Sequence, residues 1–345
     1  MEWFKDYINA VYPVTKGKYR IPLSITEFPI EKEKFEEIKE KLSIIFEKIK
    51  EIVFYFLDKN LKGYLIDDFR KELYLRIYEN YNFKFKGVVR FDLINFKLIE
   101  INADAVEGVI QLDITAGWFT KNLDFKGKPQ YNTPLFKELF DGKAIIIYPE
   151  GYKFVDEYYL EAKELNTEYI SEKEFYSKFE EIKSNYGIFR RAIDIDKVKN
   201  MEPWLEKQNV NDILFTIIGN KANLAYLYDF MDDELKYAID IVAKTSLKPE
   251  FKRYVSKPPF GTWGNVKFNE KVEGWVYQEY IEVPQAKIKY IDIDDKIKED
   301  VFYYDFDPYA FYDNKLKFGN ILLRFSKSKI LNVAKGGGVG FWTIS

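Results

Sequence analysis

Arg90-Phe-Asp-Leu-Ile-Asn-Phe-Lys-Leu-Ile-Glu-Ile-Asn-Ala-Asp104, RFDLINFKLIEINAD, reads as two short strands around a turn. Phe91, Leu93, Ile99 and Ile101 supply the apolar positions. The positions between them hold Arg90 and Asp92 on the first arm, then Glu100, Asn102 and Asp104 on the second. Strand side chains alternate faces, so each set shares a face. The loop decides whether the two sets meet. A two-residue turn at Asn95-Phe96 would pair Phe91 with Glu100 and separate them. A three-residue loop over 95–97 pairs Asp92 with Glu100 and Arg90 with Asn102. That second register is expected, because it alone assembles a site. Two carboxylates directly opposite repel, and a divalent cation offsets them. Asp, Glu and an amide oxygen are hard ligands that suit Mg²⁺. Arg90 beside them has the fork to hold a phosphate or carboxylate. The competing reading is a solvated hairpin face with an Arg90–Asp92 ion pair.

Composition narrows the chemistry. The chain has 345 residues, 47% hydrophobic, enough for a large core and two or three lobes. It has no Cys and no His. Thiolate nucleophiles, disulfides, imidazole ligands and Ser-His-Asp catalysis are therefore excluded. A metal must rest on oxygen ligands, and catalysis on carboxylates, Lys, Arg, Tyr and backbone. Net charge is −3, and the Lys residues are interleaved with Glu, so no basic stripe favours nucleic acid. The opening MEWFKDYINA lacks a signal pattern. The apolar stretch Ile44–Leu57 is broken by Glu47, Lys48, Lys50 and Glu51, so no membrane span is expected. A soluble cytoplasmic protein without nucleic-acid or membrane partners follows. The Lys/Glu/Ile-rich composition suits a thermophile and an AT-rich genome equally.

Along the chain, Phe35, Ile38, Leu42, Ile45, Ile49 and Val53 recur at helical spacing within 31–59, and a second helix is expected at 66–82. Beyond the hairpin, AIIIY at Ala144–Tyr148 has the continuous apolar run of a doubly buried strand. Helix-like 155–165, strand-like 168–170, helix-like 172–184 and strand-like 186–193 complete a βαβαβ pattern. Helices return at 220–244, and from 253 the chain is strand-rich, including GNILLRF and KILNVA. The class expected is α+β or mixed α/β with a small parallel-sheet insert. The expected units are 1–112 with 286–345 as a core carrying the hairpin, 113–205 as the parallel subdomain, and 206–285 as a third subdomain.

Other local features are weak one by one. Lys257 ends a strand, and Gly261 and Gly264 follow at a spacing that lets backbone N–H groups fold over phosphates; a plain hairpin turn reads equally well. No Gly-Lys-Ser/Thr follows, so this is not a Walker A loop. Gln278 is polar within the strand VYQEYI, as on an edge strand. Lys335-Gly-Gly-Gly-Val-Gly340 fits an anion cradle or a mobile turn. Asn220 before Lys221 has the identity of a helix N-cap.

Taken in order over about 18–340, these pieces resemble the synthetase domain of the glutathionylspermidine synthase family, a circularly rearranged ATP-grasp group. Arg90-x-Asp92 with Glu100-x-Asn102-Ala-Asp104 is similar to the family's R-x-D and L-E-x-N-A-D. Gly219-Asn-Lys-Ala222 is similar to S-N-K-A. Lys257-Pro258 with Gly261-x-x-Gly264 is similar to its K-P and G-x-x-G lid. Tyr277-Gln-Glu279 is similar to I-Y-Q-E, and Gly319 with the strand after it to G-x-W-L.

The resemblance implies an ATP-grasp fold and an ATP- and Mg²⁺-dependent ligase. Such an enzyme joins a carboxylate to an amine, peptide and polyamine-like substrates included, through an acyl phosphate. It implies Asp92, Glu100 and Asn102 on the metal, and Arg90 and Lys335 on the transferring phosphate. It implies Lys221, Lys257, Gly261, Gly264, Gln278, Glu279 and Tyr280 around the nucleotide. Departures are clear. Ala105-Val106-Glu107-Gly108 replaces the family's Thr-Pro-Thr, Thr262 replaces a lid Arg, and Lys335 stands where the family has an Arg. The acidic and aromatic segment 287–317 has no counterpart. Its Asp292, Asp294, Asp295, Glu299 and Asp300 would attract a polycation or form a solvated loop. A non-catalytic nucleotide-binding or interaction protein is the alternative expectation.

Overall fold

The helical spacing at 31–59 produces α2 (Lys32–Asp58), which follows α1 (Trp3–Val11). Its buried stripe runs Phe35, Ile38, Leu42, Ile45, Ile49, Val53 and Phe56. A helix of this length rarely stands on propensity alone; burying the stripe against a sheet holds it, at roughly 1.5–3 kcal/mol per fully buried large side chain. Phe46 of α2 lies 6.4 Å from Phe91 and 4.8 Å from Tyr312, centroid to centroid. The sheet face bearing Phe91, Leu93 and Ile101 is thus the core face. Arg90, Asp92, Glu100 and Asn102 turn the other way.

The protein is described here by a computed structural model covering residues 3–81, 83–104, 106–190, 195–198, 200–261, 265–331, 333 and 336–345. Short strands β1 (Leu23–Ser24) and β2 (Phe28–Ile30) precede α2, and α3 (Asp68–Asn80) follows it. The hairpin is β3 (Gly87–Ile94) and β4 (Lys97–Asn102), then α4 (Val109–Asn122) and α5 (Thr133–Glu138).

The expected parallel unit follows. Its strands are β5 (Ala144–Tyr148), β6 (Tyr169–Ser171), β7 (Ile188–Arg190) and β8 (Gln208–Val210), ordered β6-β5-β7-β8 and all parallel. α6 (Val155–Leu165) joins β5 to β6. The helix expected over 172–184 is two, α7 (Glu172–Ser177) and α8 (Phe179–Asn185), broken where Lys178 leaves helical geometry. The last parallel strand runs past residue 205. Residues 191–193 of the expected strand lie outside the described residues.

The helices expected over 220–244 form only short turns, 223–226, 227–230, 233–238 and 239–241. Met231 is extended, and Asp232 caps a fresh start by accepting from Leu235 N. A small antiparallel sheet is built from β9 (Thr245–Ser246), β10 (Tyr254–Lys257), β11 (Lys267–Phe268) and β12 (Val276–Glu279).

The last third holds β13 (Gln285–Ile291), β14 (Ile297–Tyr304), β15 (Asp307–Asp313), β16 (Lys315–Ser326) and β17 (Gly338–Ile344). With the first four strands they make one nine-stranded mixed sheet, β2-β17-β1-β13-β14-β16-β15-β3-β4. The segment 287–317 is therefore framework: β15 pairs directly with β3. Of the KILNVA segment expected as a strand, the described residues 329–331 and 333 lie outside any strand. The whole is a mixed α/β protein with a large mixed sheet and a small parallel one. Among the described residues no helix is long and apolar enough to cross a membrane.

Candidate functional site

The hairpin settles the register in a way the loop argument missed. Asp92 does pair with Glu100, and Arg90 with Asn102. Yet the turn has two residues, not three: Leu93 pairs with Leu98 and Ile94 with Lys97. Asn95 and Phe96 take φ of 50° and 59°, the geometry of a I′ turn. The extra residue is a β-bulge at Ile99, between Leu98 and Glu100. A bulge shifts parity as an added loop residue would, and it also frees a carbonyl from the ladder. Phe96 is an unusual residue at positive φ, but its ring packs at 5.2 Å on Phe306 and 6.1 Å on Trp342.

Buried Asn211 pins the open end of the hairpin. Its Oδ1 accepts from Val88 N at 2.9 Å, and its Nδ2 donates to Val88 O and Ala103 O, both at 2.8 Å.

On the polar face, two arginines hold the carboxylates. Arg90 donates to both oxygens of Asp92, Nε to Oδ1 at 2.7 Å and Nη2 to Oδ2 at 3.0 Å. Arg324 on β16 donates to Asp92 Oδ2 at 2.8 Å and to Asp305 Oδ2 at 2.8 Å. Its Nε lies 2.6 Å from Asp307 Oδ2, off the N–H direction, so this contact is an ion pair without a hydrogen bond. Burial works against ionised Asp92, but Arg324 and Arg90 outweigh it and hold that carboxyl down at about 2. Burial raises Asp305, and raises Asp307 well above the usual range despite Arg324.

The third subdomain brings the lysines. Asn220 orients the turn before 223–226, its Oδ1 accepting from Ala222 N at 2.9 Å and its Nδ2 donating to Leu65 O at 2.9 Å. Lys221 Nζ then reaches Glu100 Oε1 at 3.1 Å and donates to Gly261 O at 2.9 Å. Gly261 has φ +105°, a conformation that favours glycine. Lys257, at the end of β10, donates to Gln278 Oε1 at 2.9 Å and to Ile99 O at 3.1 Å. Burial pulls its amine down to about 8, against the pull of Glu100. Asp92, Glu100, Asp305 and Asp307 thus stand among four cations, Arg90, Arg324, Lys221 and Lys257.

One cavity of about 960 Å³ collects the expected residues. Arg90, Asp92, Glu100, Asn102, Lys221, Lys257, Gly261, Gln278, Glu279 and Tyr280 all line it. Gly264 and Lys335 lie outside the described residues. Several residues have partners that differ from their expected roles. Both oxygens of Asp92 are held by guanidinium groups, Glu279 Oε1 accepts from Lys244 N, and Lys329 donates to Tyr280 Oη at 2.8 Å. Asn102 Nδ2 is buried without a partner. Arg324, Asp305 and Asp307 were missed from sequence. Their signals were an Arg among apolar residues in GNILLRF and the alternation Asp305-Phe-Asp307, which puts both acids on one strand face.

The cavity continues past the C-terminal end of β5, where Pro149, Glu150 and Tyr152 line it. Glu107 accepts from Tyr158 at 2.6 Å and from Tyr152. Glu157 accepts from Ile110 N and Gln111 N at the start of α4, at 3.0 and 3.1 Å. Burial, with Glu161 nearby, pushes Glu157 up to about 8; burial pushes Glu161 up to about 7 although Arg190 bonds it at 3.0 Å. Four acids that the sequence offered to a polycation are paired elsewhere instead. Asp292 pairs with Lys298, Asp295 with Arg20, Glu299 with Lys287 and Asp300 with Lys327.

Among the described residues no three carboxylates are disposed to hold one metal ion. Glu100 and Asn102, on the same strand face and lining the cavity, have the carboxylate and amide oxygens that Mg²⁺ takes, while the orphaned atom of Asn102 is its Nδ2, a donor that suits an acceptor such as a phosphate oxygen. Asp92 joins them only if its guanidinium partners move. Comparison with family models gives no match to the chain, and comparison with curated proteins gives none.

Proposed function

We propose that this protein is an ATP- and Mg²⁺-dependent ligase on an ATP-grasp fold, joining a carboxylate to an amine through an acyl phosphate. The observation that carries the reading is the convergence of four separate segments, 90–102, 221, 257–261 and 278–280, on one cavity rich in Arg and Lys. Lys221 and Lys257 each have three N–H donors, with two engaged as described, which leaves one for a phosphate oxygen. Glu100 and Asn102 would hold Mg²⁺, with Asp92 beside them. The metal would neutralise charge on the bridging phosphates.

The chain's own groups then do the following. Arg90 and Arg324 face the transferring phosphoryl group and offset charge on its oxygens. A substrate carboxylate oxygen attacks the γ-phosphorus, the bond to the β-phosphate oxygen breaks, and ADP leaves. The amine nitrogen next attacks the acyl carbon, loses a proton, and inorganic phosphate departs. Arg324 takes the place that the sequence reading gave to Lys335 as the second cation. Asp305 and Asp307 hold it in position. The β9–β12 sheet covers the hairpin and limits access of water to the acyl phosphate. A peptide-like carboxylate and an aliphatic amine, polyamines included, are the substrate classes proposed.

The test is ADP release with a panel of carboxylates, using hydroxylamine to trap acyl phosphate as hydroxamate. ADP and hydroxamate formed together, and lost in Arg90→Met, are the expected result. A second reading, a nucleotide-binding protein without turnover, has one observation in its favour. The carboxylates here are already balanced by cations. It predicts Mg·ATP binding with no ADP from any panel member.

A further inference from the structure

We infer that Gln278 is a positioning residue that, with the bulge carbonyl of Ile99, aims Lys257 into the cavity and docks the β9–β12 sheet on the hairpin. The inference rests on the phosphate-binding reading of Lys257 for its function, but its geometry stands on hydrogen bonds alone. Gln278 sits on β12 and is 3% exposed. Its Oε1 accepts from Lys257 Nζ at 2.9 Å. Its Nε2 donates to Thr245 Oγ1 at 3.0 Å and to Ile99 O at 3.2 Å. Thr245 Oγ1 donates in turn to Ala243 O at 2.8 Å.

This chain of donors admits one amide orientation. Flipping Gln278 would point N–H groups at the Lys257 ammonium and set two carbonyl oxygens against each other at Ile99. The bulge is what makes the acceptor available. In a regular ladder Ile99 O would be spent on β3; here it faces β10 and β12 and takes both Lys257 and Gln278. Leu98 O completes the joint by accepting from Ala243 N at 3.0 Å. The residue that puts Glu100 opposite Asp92 therefore also fixes the distance between that pair and Lys257. The family resemblance implied Gln278 around the nucleotide; its hydrogen bonds run to Lys257, Ile99 and Thr245.

Two measurements on Gln278→Leu test this. Lysine acylation by a water-soluble succinimidyl ester, read by mass spectrometry, reports whether Lys257 is held; no ligand is needed. Lys257 is expected to react faster in the variant, with Lys221 unchanged. Titration with inorganic tripolyphosphate is expected to show about tenfold weaker binding, the value of a hydrogen bond to a charged group. That loss is expected to vanish when Lys257→Met is already present and to persist when Lys221→Met is present instead. Thr245→Val, a milder change, is expected to move both readouts the same way by less, and stands in if the Leu variant does not fold. An unchanged Lys257 rate, or an affinity loss undiminished beside Lys257→Met, overturns the inference. If the unsubstituted protein binds no tripolyphosphate, the nucleotide reading fails, and acylation alone decides the positioning.

Discussion

Two hairpins of this chain carry alternating charge, and they use it in opposite ways. In β3–β4, Arg90, Asp92, Glu100 and Asn102 face a cavity and are joined by Arg324 and Lys221. In β13–β14, Lys287, Lys298, Glu299 and Asp300 are exposed, and Lys287 pairs with Glu299 and Asp300 with Lys327 along the surface. The pairing differs too. β13–β14 keeps one register from Gln285–Tyr303 to Ile291–Ile297, whereas β3–β4 slips at Ile99. The cations differ as well: forked Arg in the first hairpin, Lys in the second. Period-two charge alone does not make a site; a bulge, Arg and burial distinguish the one that reads as a site.

Deleting Ile99 should have the largest effect on the cavity. Removing the extra residue makes the ladder regular with Asp92 still opposite Glu100, but it takes away the carbonyl that Lys257 and Gln278 share. Losing both hydrogen bonds, one of them from a charged amine, should weaken tripolyphosphate binding more than Gln278→Leu does. A deletion variant that binds tripolyphosphate as the unsubstituted protein does would mean that the bulge carbonyl does not aim Lys257.

Arg324→Met comes next. It leaves Asp92, Asp305 and Asp307 buried around a missing cation, and about 3–5 kcal/mol of destabilisation is expected. Lys287→Met, on the other hairpin, should leave the denaturation midpoint where it was, since its pair with Glu299 is exposed and such pairs contribute little. Equal effects of the two substitutions would erase the contrast.

A smaller effect separates the acids beside α4 from Asp292 of the other hairpin by pH. Glu157 and Glu161 are raised to about 8 and about 7, so the folded chain holds protons that the unfolded chain has lost. Stability should therefore fall as pH rises from the ordinary Glu range through about 8. Asp292 behaves oppositely. Lys298 holds it at about 2, so its contribution is present above the ordinary Asp value and is lost only as pH falls toward 2. Denaturation curves between pH 5 and pH 8, in the usual range for such work, should slope downward in the unsubstituted protein and flatten in Glu157→Gln. A slope that Glu157→Gln leaves untouched would remove the buried acids from the account.

Much of this was legible beforehand because it depends on local pattern. The stripe of α2, the continuous run of β5 and the Asp92–Glu100 pairing follow from periodicities of 3.6 and 2. The loop length was not, since a bulge and an added loop residue shift parity alike, and nothing in Leu98-Ile-Glu100 marks which is used. Phe96 hid the I′ turn further; Asn-Gly would have announced it. Arg324, Asp305 and Asp307 were missed for another reason. They reach Asp92 through strand order, β16-β15-β3, which joins segments more than 200 residues apart, and 287–317 has no counterpart in the family resemblance to point to it. Their side-chain pattern was visible, but their neighbours were not.

The most direct test of the central claim is calorimetric titration with Mg·ADP of the unsubstituted protein, Glu100→Gln, Lys257→Met and Lys298→Met. The account predicts saturable, Mg²⁺-dependent binding that weakens by about tenfold or more in the first two variants and is unchanged in Lys298→Met. Absence of binding, or equal weakening in all three variants, would contradict it.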